Sequence, residues 1–253
     1  MNNNELPPVS KPTRPRGIYL LPNLLTTAAL FAGFYSIVAA MKGHFDTAAI
    51  AIFIAMIADS LDGRIARMTN TQTAFGVEYD SISDMVSFGI APALVVYSWA
   101  LESMGKFGWL VAFIYVAATA LRLARFNTQI VSEDKRYFQG LPSPAAAAII
   151  ASLVWFGNNY GHVEGLVTLV IALLTIFPAV LMVSNIRYYS FKEFDMRGKV
   201  PFVAILAIVL TFVAISIDPP NVLFLLFFGY ALSGPILTLW RLQKARSDRK
   251  RRA

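Results

Sequence analysis

Apolar runs of about 20 residues recur along this chain, separated by short polar stretches, and that length is what a helix needs to cross a hydrocarbon slab. The runs fall near residues 19–41, 47–68, 77–101, 107–127, 141–157, 165–186, 199–216 and 221–241. A helix satisfies its own backbone hydrogen bonds in lipid, so the pattern predicts an all-α fold: a polytopic membrane helical bundle with about eight transmembrane helices. The fifth run is short and Ala-rich (Ala145 to Ala148), which suits close helix packing more than lipid contact. Pro92, Pro178 and Pro235 lie inside runs, where membrane helices tolerate a kink. The first run follows a basic, Pro-rich start but is too long for a signal peptide, so it reads as an uncleaved first helix.

Composition sharpens this picture. The chain of 253 residues is 57% hydrophobic and 15% charged, which sets it apart from ordinary soluble domains. It has no cysteine, so disulfides, thiol catalysis and cysteine metal sites are excluded. Its two histidines, His44 and His162, fall in expected loops, which argues against histidine catalysis. A net charge of +7 invites a nucleic-acid reading until the charges are placed. Of the 22 lysines and arginines, Lys42 and Lys106 alone fall on one side of the expected membrane. Both termini are therefore expected to be cytoplasmic, and the partner of the basic residues is the bilayer and not a nucleic acid. The division expected is a basic N-terminal segment, 1–18, one transmembrane domain, 19–241, and a basic cytoplasmic tail, 242–253. The tail reads equally as a contact for anionic headgroups or as a topology signal.

Four acids interrupt the apolar pattern. Asp59 and Asp62 are three residues apart and Asp80 and Asp84 four apart, so on helices each pair shares a face. A short turn between the two helices would let all four carboxylates converge, and such a cluster repels itself unless it binds cations. Mg²⁺ or Mn²⁺ are the hard, oxygen-seeking candidates. Gly63, Ala66 and Gly76 leave room for a close approach to the backbone, and Arg67 offers a guanidinium to phosphate oxygens. Together these residues suit metal-bridged phosphoryl transfer on a nucleotide or pyrophosphate ester. Because the acids bracket a cytoplasmic turn, the site is expected at the cytoplasmic face of the inner membrane.

The stretch from Asp59 to Asp84 resembles the signature of the CDP-alcohol phosphotransferases, D-x-x-D-G-x-x-A-R-x8-G-x-x-x-D-x-x-x-D, with every fixed position matched. With each residue type at roughly 5–7% usage, such a match almost never arises by chance. Three further stretches, Ala120 to Asn127, Phe138 to Ala145 and Ser184 to Lys192, together with Pro22 to Thr26, resemble the bacterial and archaeal membrane-type phosphatidylserine synthases. That resemblance implies transfer of the phosphatidyl group of CDP-diacylglycerol to L-serine, giving phosphatidylserine and CMP. It implies two metal ions, one on Asp59, Asp62 and Asp80 and another on Asp59, Asp80 and Asp84, with Asp84 also the general base. It places Gly63, Ala66 and Gly76 under the cytidine and Arg67 on the phosphates, with Asn23 and Thr26 as further candidates for CDP contact. The serine carboxylate and lipid phosphate each call for a cation, and Arg122, Arg125 and Arg187, with Asn127 and Ser143 nearby, are the candidates. The larger family also implies a homodimer.

Other readings stay open at this point. Another CDP-alcohol phosphotransferase would keep the aspartates and take glycerol 3-phosphate or inositol phosphate as acceptor. An ion or proton transporter would use the same intramembrane acids, although they crowd one interface instead of lining a path. Glu78 lies off the Asp80 face and reads as solvated, Arg64 as a residue reaching for headgroups, and Gly140, Pro142 and Pro144 as turn and helix-start residues.

Overall fold

The computed structural model describes residues 20–128, 137–159, 161, 165–189 and 202–252. The N-terminal segment, His162, Lys135, Arg136, Lys192, Arg197 and Lys199 lie outside the described residues. Eight helices follow one another: α1 (Leu20–Met41), α2 (Phe45–Thr69), α3 (Ala74–Met104), α4 (Lys106–Thr128), α5 (Ser143–Asn158), α6 (Leu166–Val183), α7 (Phe202–Ile217) and α8 (Pro219–Arg252). Two short strands, β1 (Tyr137–Gln139) and β2 (Arg187–Tyr189), pair antiparallel with Gln139 opposite Arg187. Five helices, α1, α3, α4, α6 and α8, are long and apolar enough to cross a membrane, while α5 and the apolar part of α7 are shorter. Asp46, Asp59, Asp62, Arg64 and Arg67 keep α2 out of that set, which is the first sign that α2 carries the chemistry. The architecture is that of a helical membrane protein.

Small side chains bring the helices together. Ser36 of α1 donates to the Ala48 carbonyl of α2 at 2.7 Å, amid the buried alanines Ala39, Ala40, Ala48 and Ala49. Ser83 and Ser87 of α3 donate to the Thr26 and Ala29 carbonyls of α1 at 3.1 and 3.0 Å. Buried hydroxyls elsewhere, such as Thr119, Ser152 and Thr175, bond back to the carbonyl four residues earlier, so no polar atom of theirs is left facing hydrocarbon. α3 is not uniform: Met85–Ile90 and Tyr97–Leu101 are π-helical, and Pro92 follows the first of these at the start of an α-helical turn. The wider turn loosens the ladder where the proline would otherwise remove a bond.

α5 is the axis of the bundle. Its alanines Ala145 to Ala148 and the following Ile149, Ile150 and Ala151 are buried, and α2 and α8 pack against it. α7 is the opposite case, with Phe202, Val203, Leu206, Ile208 and Phe212 exposed as a lipid-facing helix would have them. Several boundaries differ from the hydrophobic pattern: α3 runs three residues further at each end, Ala74–Met104 against 77–101. α6 stops at Val183, not 186, because the chain leaves it to form β2. α8 runs on through the basic tail to Arg252, where no glycine or proline follows Pro235 to stop it.

Candidate active site

The aspartates converge because of a tight reversal between α2 and α3. Asn70 adopts the left-handed conformation (φ 51°) that ends α2, with its N–H directed at the last carbonyls of the helix. Thr73 then caps α3 by accepting from the Gly76 N–H at 3.0 Å. The reversal is short enough that one carboxylate oxygen from each of Asp59, Asp62 and Asp80 lies within 4.8 Å of the others. Asp84, one turn on from Asp80, hydrogen-bonds Asp59 and lies within electrostatic reach of Asp80 and of Arg122 of α4. Four carboxyls at this spacing cannot all stay ionised without a cation, and their all-oxygen donor set fits a divalent metal of the Mg²⁺ or Mn²⁺ kind.

The surroundings hold the acids in place. Thr26, buried in α1, donates to Asp62 Oδ2 at 2.7 Å and shares the same hydrogen with the Pro22 carbonyl at 3.1 Å. The Arg67 guanidinium lies over Gly63, where a Cβ would sit 3.5 Å from its Nη1. On α3, a Cβ on Gly76 would come within 3.5 Å of Asn23 Oδ1 and 3.1 Å of Thr73 Oγ1. Ala66 is half-buried on the same stretch, and its carbonyl accepts from Thr71 N–H at 3.0 Å. Thr26 thus touches Asp62, Arg67 lies over Gly63, Asn23 lies against Gly76, and Ala66 follows Asp62 by one turn on α2. Glu78 and Arg64 are exposed.

A second cluster lies on the Asp84 side. Arg122 Nη1 donates to the buried Ser143 Oγ at 2.9 Å, while its Nε is buried without a hydrogen-bond partner among the described residues. Arg125, one turn further, donates through Nη2 to Gln139 Oε1 and, at 2.8 Å, to Asn185 Oδ1. Asn127 donates to Ser81 Oγ at 3.0 Å and so ties the end of α4 to the aspartate helix. Arg187 is exposed in β2, opposite Gln139. The turn into α5 is enforced by Gly140, whose φ of +75° and approach to the Met182 carbonyl, 2.2 Å from where a Cβ would stand, exclude any side chain. Pro142 and Pro144 then start α5. The sequence reading missed Gln139 and Asn185 as the partners of Arg125, although both stand inside stretches it singled out. Thr73 and Tyr79, whose hydroxyl meets Thr27 at 2.9 Å, had no signal of their own.

The known proteins that resemble this chain agree with that geometry. The sequence model of the family described as CDP-alcohol phosphatidyltransferase matches residues 19–183. A CDP-diacylglycerol–serine O-phosphatidyltransferase of Helicobacter pylori is 38% identical over 196 residues, covering 78% of this chain and 83% of that protein. A protein of the same name from Methanocaldococcus jannaschii is 37% identical over 185 residues, covering 73% and 81%. The archaetidylserine synthase of Methanothermobacter thermautotrophicus is 36% identical over 170 residues, covering 66% and 69%. The match takes in both aspartate pairs and the arginine end of α4, and an enzyme family leaves no place for the transporter reading. By sequence and by the site it builds, the chain belongs to the CDP-alcohol phosphatidyltransferase family, whose members depend on a divalent metal.

Proposed function

We propose that this protein transfers the phosphatidyl group of CDP-diacylglycerol to the hydroxyl of L-serine, releasing CMP. The observation that carries the reading is the convergence of Asp59, Asp62 and Asp80, one oxygen of each within 4.8 Å of the others, with Asp84 hydrogen-bonded to Asp59. The names of the relatives, serine phosphatidyltransferases and an archaetidylserine synthase, support serine as the acceptor. Asp59, Asp62, Asp80 and Asp84 would hold two divalent ions, Mg²⁺ or Mn²⁺, which supply charge neutralisation for a pyrophosphate. Arg67 faces the phosphates, and Gly63, Ala66 and Gly76 leave the space that a cytidine needs, with Asn23 and Thr26 at its edge. Asp84 takes the proton of the serine hydroxyl as that oxygen bonds to the β-phosphorus. The bond from that phosphorus to the CMP oxygen breaks, and CMP leaves with the electron pair. Arg122, whose Nε has no hydrogen-bond partner among the described residues, and Arg125 receive the serine carboxylate and the lipid phosphate, supported by Ser143, Asn127 and Arg187.

The same reading places the protein in the inner membrane with its active site and both termini on the cytoplasmic side, supported by the charge asymmetry of the loops. All eight helices then cross or enter the bilayer as a single domain spanning 19–241, flanked by the basic segments 1–18 and 242–253. A homodimer belongs to this reading, and light scattering of the detergent-solubilised protein tests it. The reaction is tested by CMP release from CDP-diacylglycerol with Mg²⁺ or Mn²⁺ and one acceptor at a time: L-serine, glycerol 3-phosphate, inositol phosphate or water. Release that requires both serine and metal is expected. Release with glycerol 3-phosphate or inositol phosphate in place of serine would overturn the acceptor and keep the aspartate chemistry.

A further inference from the structure

The last helix contributes no motif and lies outside the residues that the family match covers, yet it is built tightly into the acceptor side. Tyr188 of β2 is fully buried against α8. Its hydroxyl donates to the Ala231 carbonyl at 2.9 Å, and its ring sits 5.6 Å from that of Tyr230. The fit requires a glycine: a Cβ on Gly234 would stand 2.4 Å from Tyr188 Cζ and 2.8 Å from Ile186 Cγ2. Burial pushes the Tyr188 phenol well above its ordinary range, so it stays a hydrogen-bond donor. Tyr230 in turn lies beside Arg122.

What Tyr188 fixes is the segment from which the arginines' partners hang. Two residues before Ile186–Arg187–Tyr188 comes Ser184, and Asn185 between them accepts from Arg125. The Ile186 carbonyl accepts from Gly140 N–H at 2.9 Å, and Leu141 N–H donates to the Leu181 carbonyl at 3.0 Å. Gln139, also bonded to Arg125, and Ser143, bonded to Arg122, flank that pair of bonds. A displaced Tyr188 therefore moves both arginine anchors together.

We propose that Tyr188, seated on Gly234 and Ala231 of α8, is a positioning residue for the acceptor-binding arginines, and that α8 is thereby part of the serine specificity of the enzyme. This rests on the acceptor-site reading above. Geometry errors of about 1 Å cost on the order of 10²-fold when they fall on substrate-positioning groups. The test is steady-state kinetics of the purified full chain, with the KM for serine and the KM for CDP-diacylglycerol measured separately for Gly234→Ala, Tyr188→Phe and Arg125→Ala. Gly234→Ala is expected to raise the serine KM about tenfold or more and the CDP-lipid KM by less, about threefold at most, since the arginines hold only the lipid phosphate of that substrate, and Tyr188→Phe, which keeps the ring, to raise the serine KM about threefold. General loosening of the fold would shift both constants to the same extent or kcat alone, and that pattern would overturn the proposal. If Gly234→Ala does not yield folded protein, Tyr188→Phe decides, and an unchanged serine KM in that variant rejects the clamp. Arg125→Ala separates the two layers. A normal serine KM there means that the acceptor reading itself is wrong, whereas a raised one beside normal Tyr188→Phe and Gly234→Ala constants removes only the role of α8.

Discussion

The two halves of the site are assembled in opposite ways. The aspartate half draws all four of its carboxyls from two consecutive helices joined by a four-residue turn, and short-range rules place them: spacings of three and four residues on one helix face, an αL cap at Asn70 and an N-cap at Thr73. The arginine half gathers Arg122 and Arg125 from α4, Gln139 from β1, Ser143 from α5 and Asn185 from the end of α6. Its geometry depends on the β1–β2 ladder, on Gly140 and on Tyr188 against α8. A cluster that is local in sequence fixes the shared chemistry of a family, while one gathered from distant segments leaves the acceptor adjustable.

That contrast can be broken most severely from the aspartate side. Asp59→Ala removes a carboxyl common to both expected metal sets, and metal-dependent CMP release is expected to fall by about 10³-fold or more whatever the acceptor. A purified variant with an ordinary Mg²⁺ or Mn²⁺ response would dissolve the metal assignment. Asp84→Asn is expected to lower turnover by about 10²- to 10⁴-fold while CDP-lipid binding, read by equilibrium titration, persists. Near-normal turnover in that variant would take the base role away from Asp84. The mildest test is Thr26→Val, which removes the donor at 2.7 Å from Asp62 without reaching the arginines. The apparent metal requirement is expected to rise about tenfold and the serine KM to stay put. A change in the serine KM alone would mean that the two halves are not separable as described.

The same contrast explains what could be read beforehand. Asp59 to Asp84 was legible because the turn and the helix spacings that bring Asp59, Asp62 and Asp80 together are local. The helical bundle was legible because the apolar runs have the period and length of membrane helices, and the alanine-rich fifth run did become the buried α5. The β1–β2 ladder was not, since three-residue strands leave no periodicity to detect. Gln139 and Asn185 lay in stretches already marked, but nothing in their spacing could pair them with Arg125, 14 and 60 residues away. Tyr188 and Gly234 were silent for a different reason: a ring seated on a glycine is a fact about two surfaces, not about either segment.

The length of α5 acts as a depth gauge. At its far end Asn158 donates to Asp46 at 2.9 Å, which levels the end of α5 with the beginning of α2. The two helices run antiparallel from that tie, so α5, with 16 residues and a rise of about 1.5 Å each, reaches back only as far as the level of Asp59 and Asp62. α2 continues about two turns beyond. A helix of roughly 24 Å is some 6 Å shorter than a hydrocarbon layer of about 30 Å. Its first residue, Ser143, therefore stands at the level of Asp59 and Asp62, where it accepts from Arg122. On the proposed reading, the cation meant for the acceptor and the carboxylates meant for the metals then share one level of the bundle.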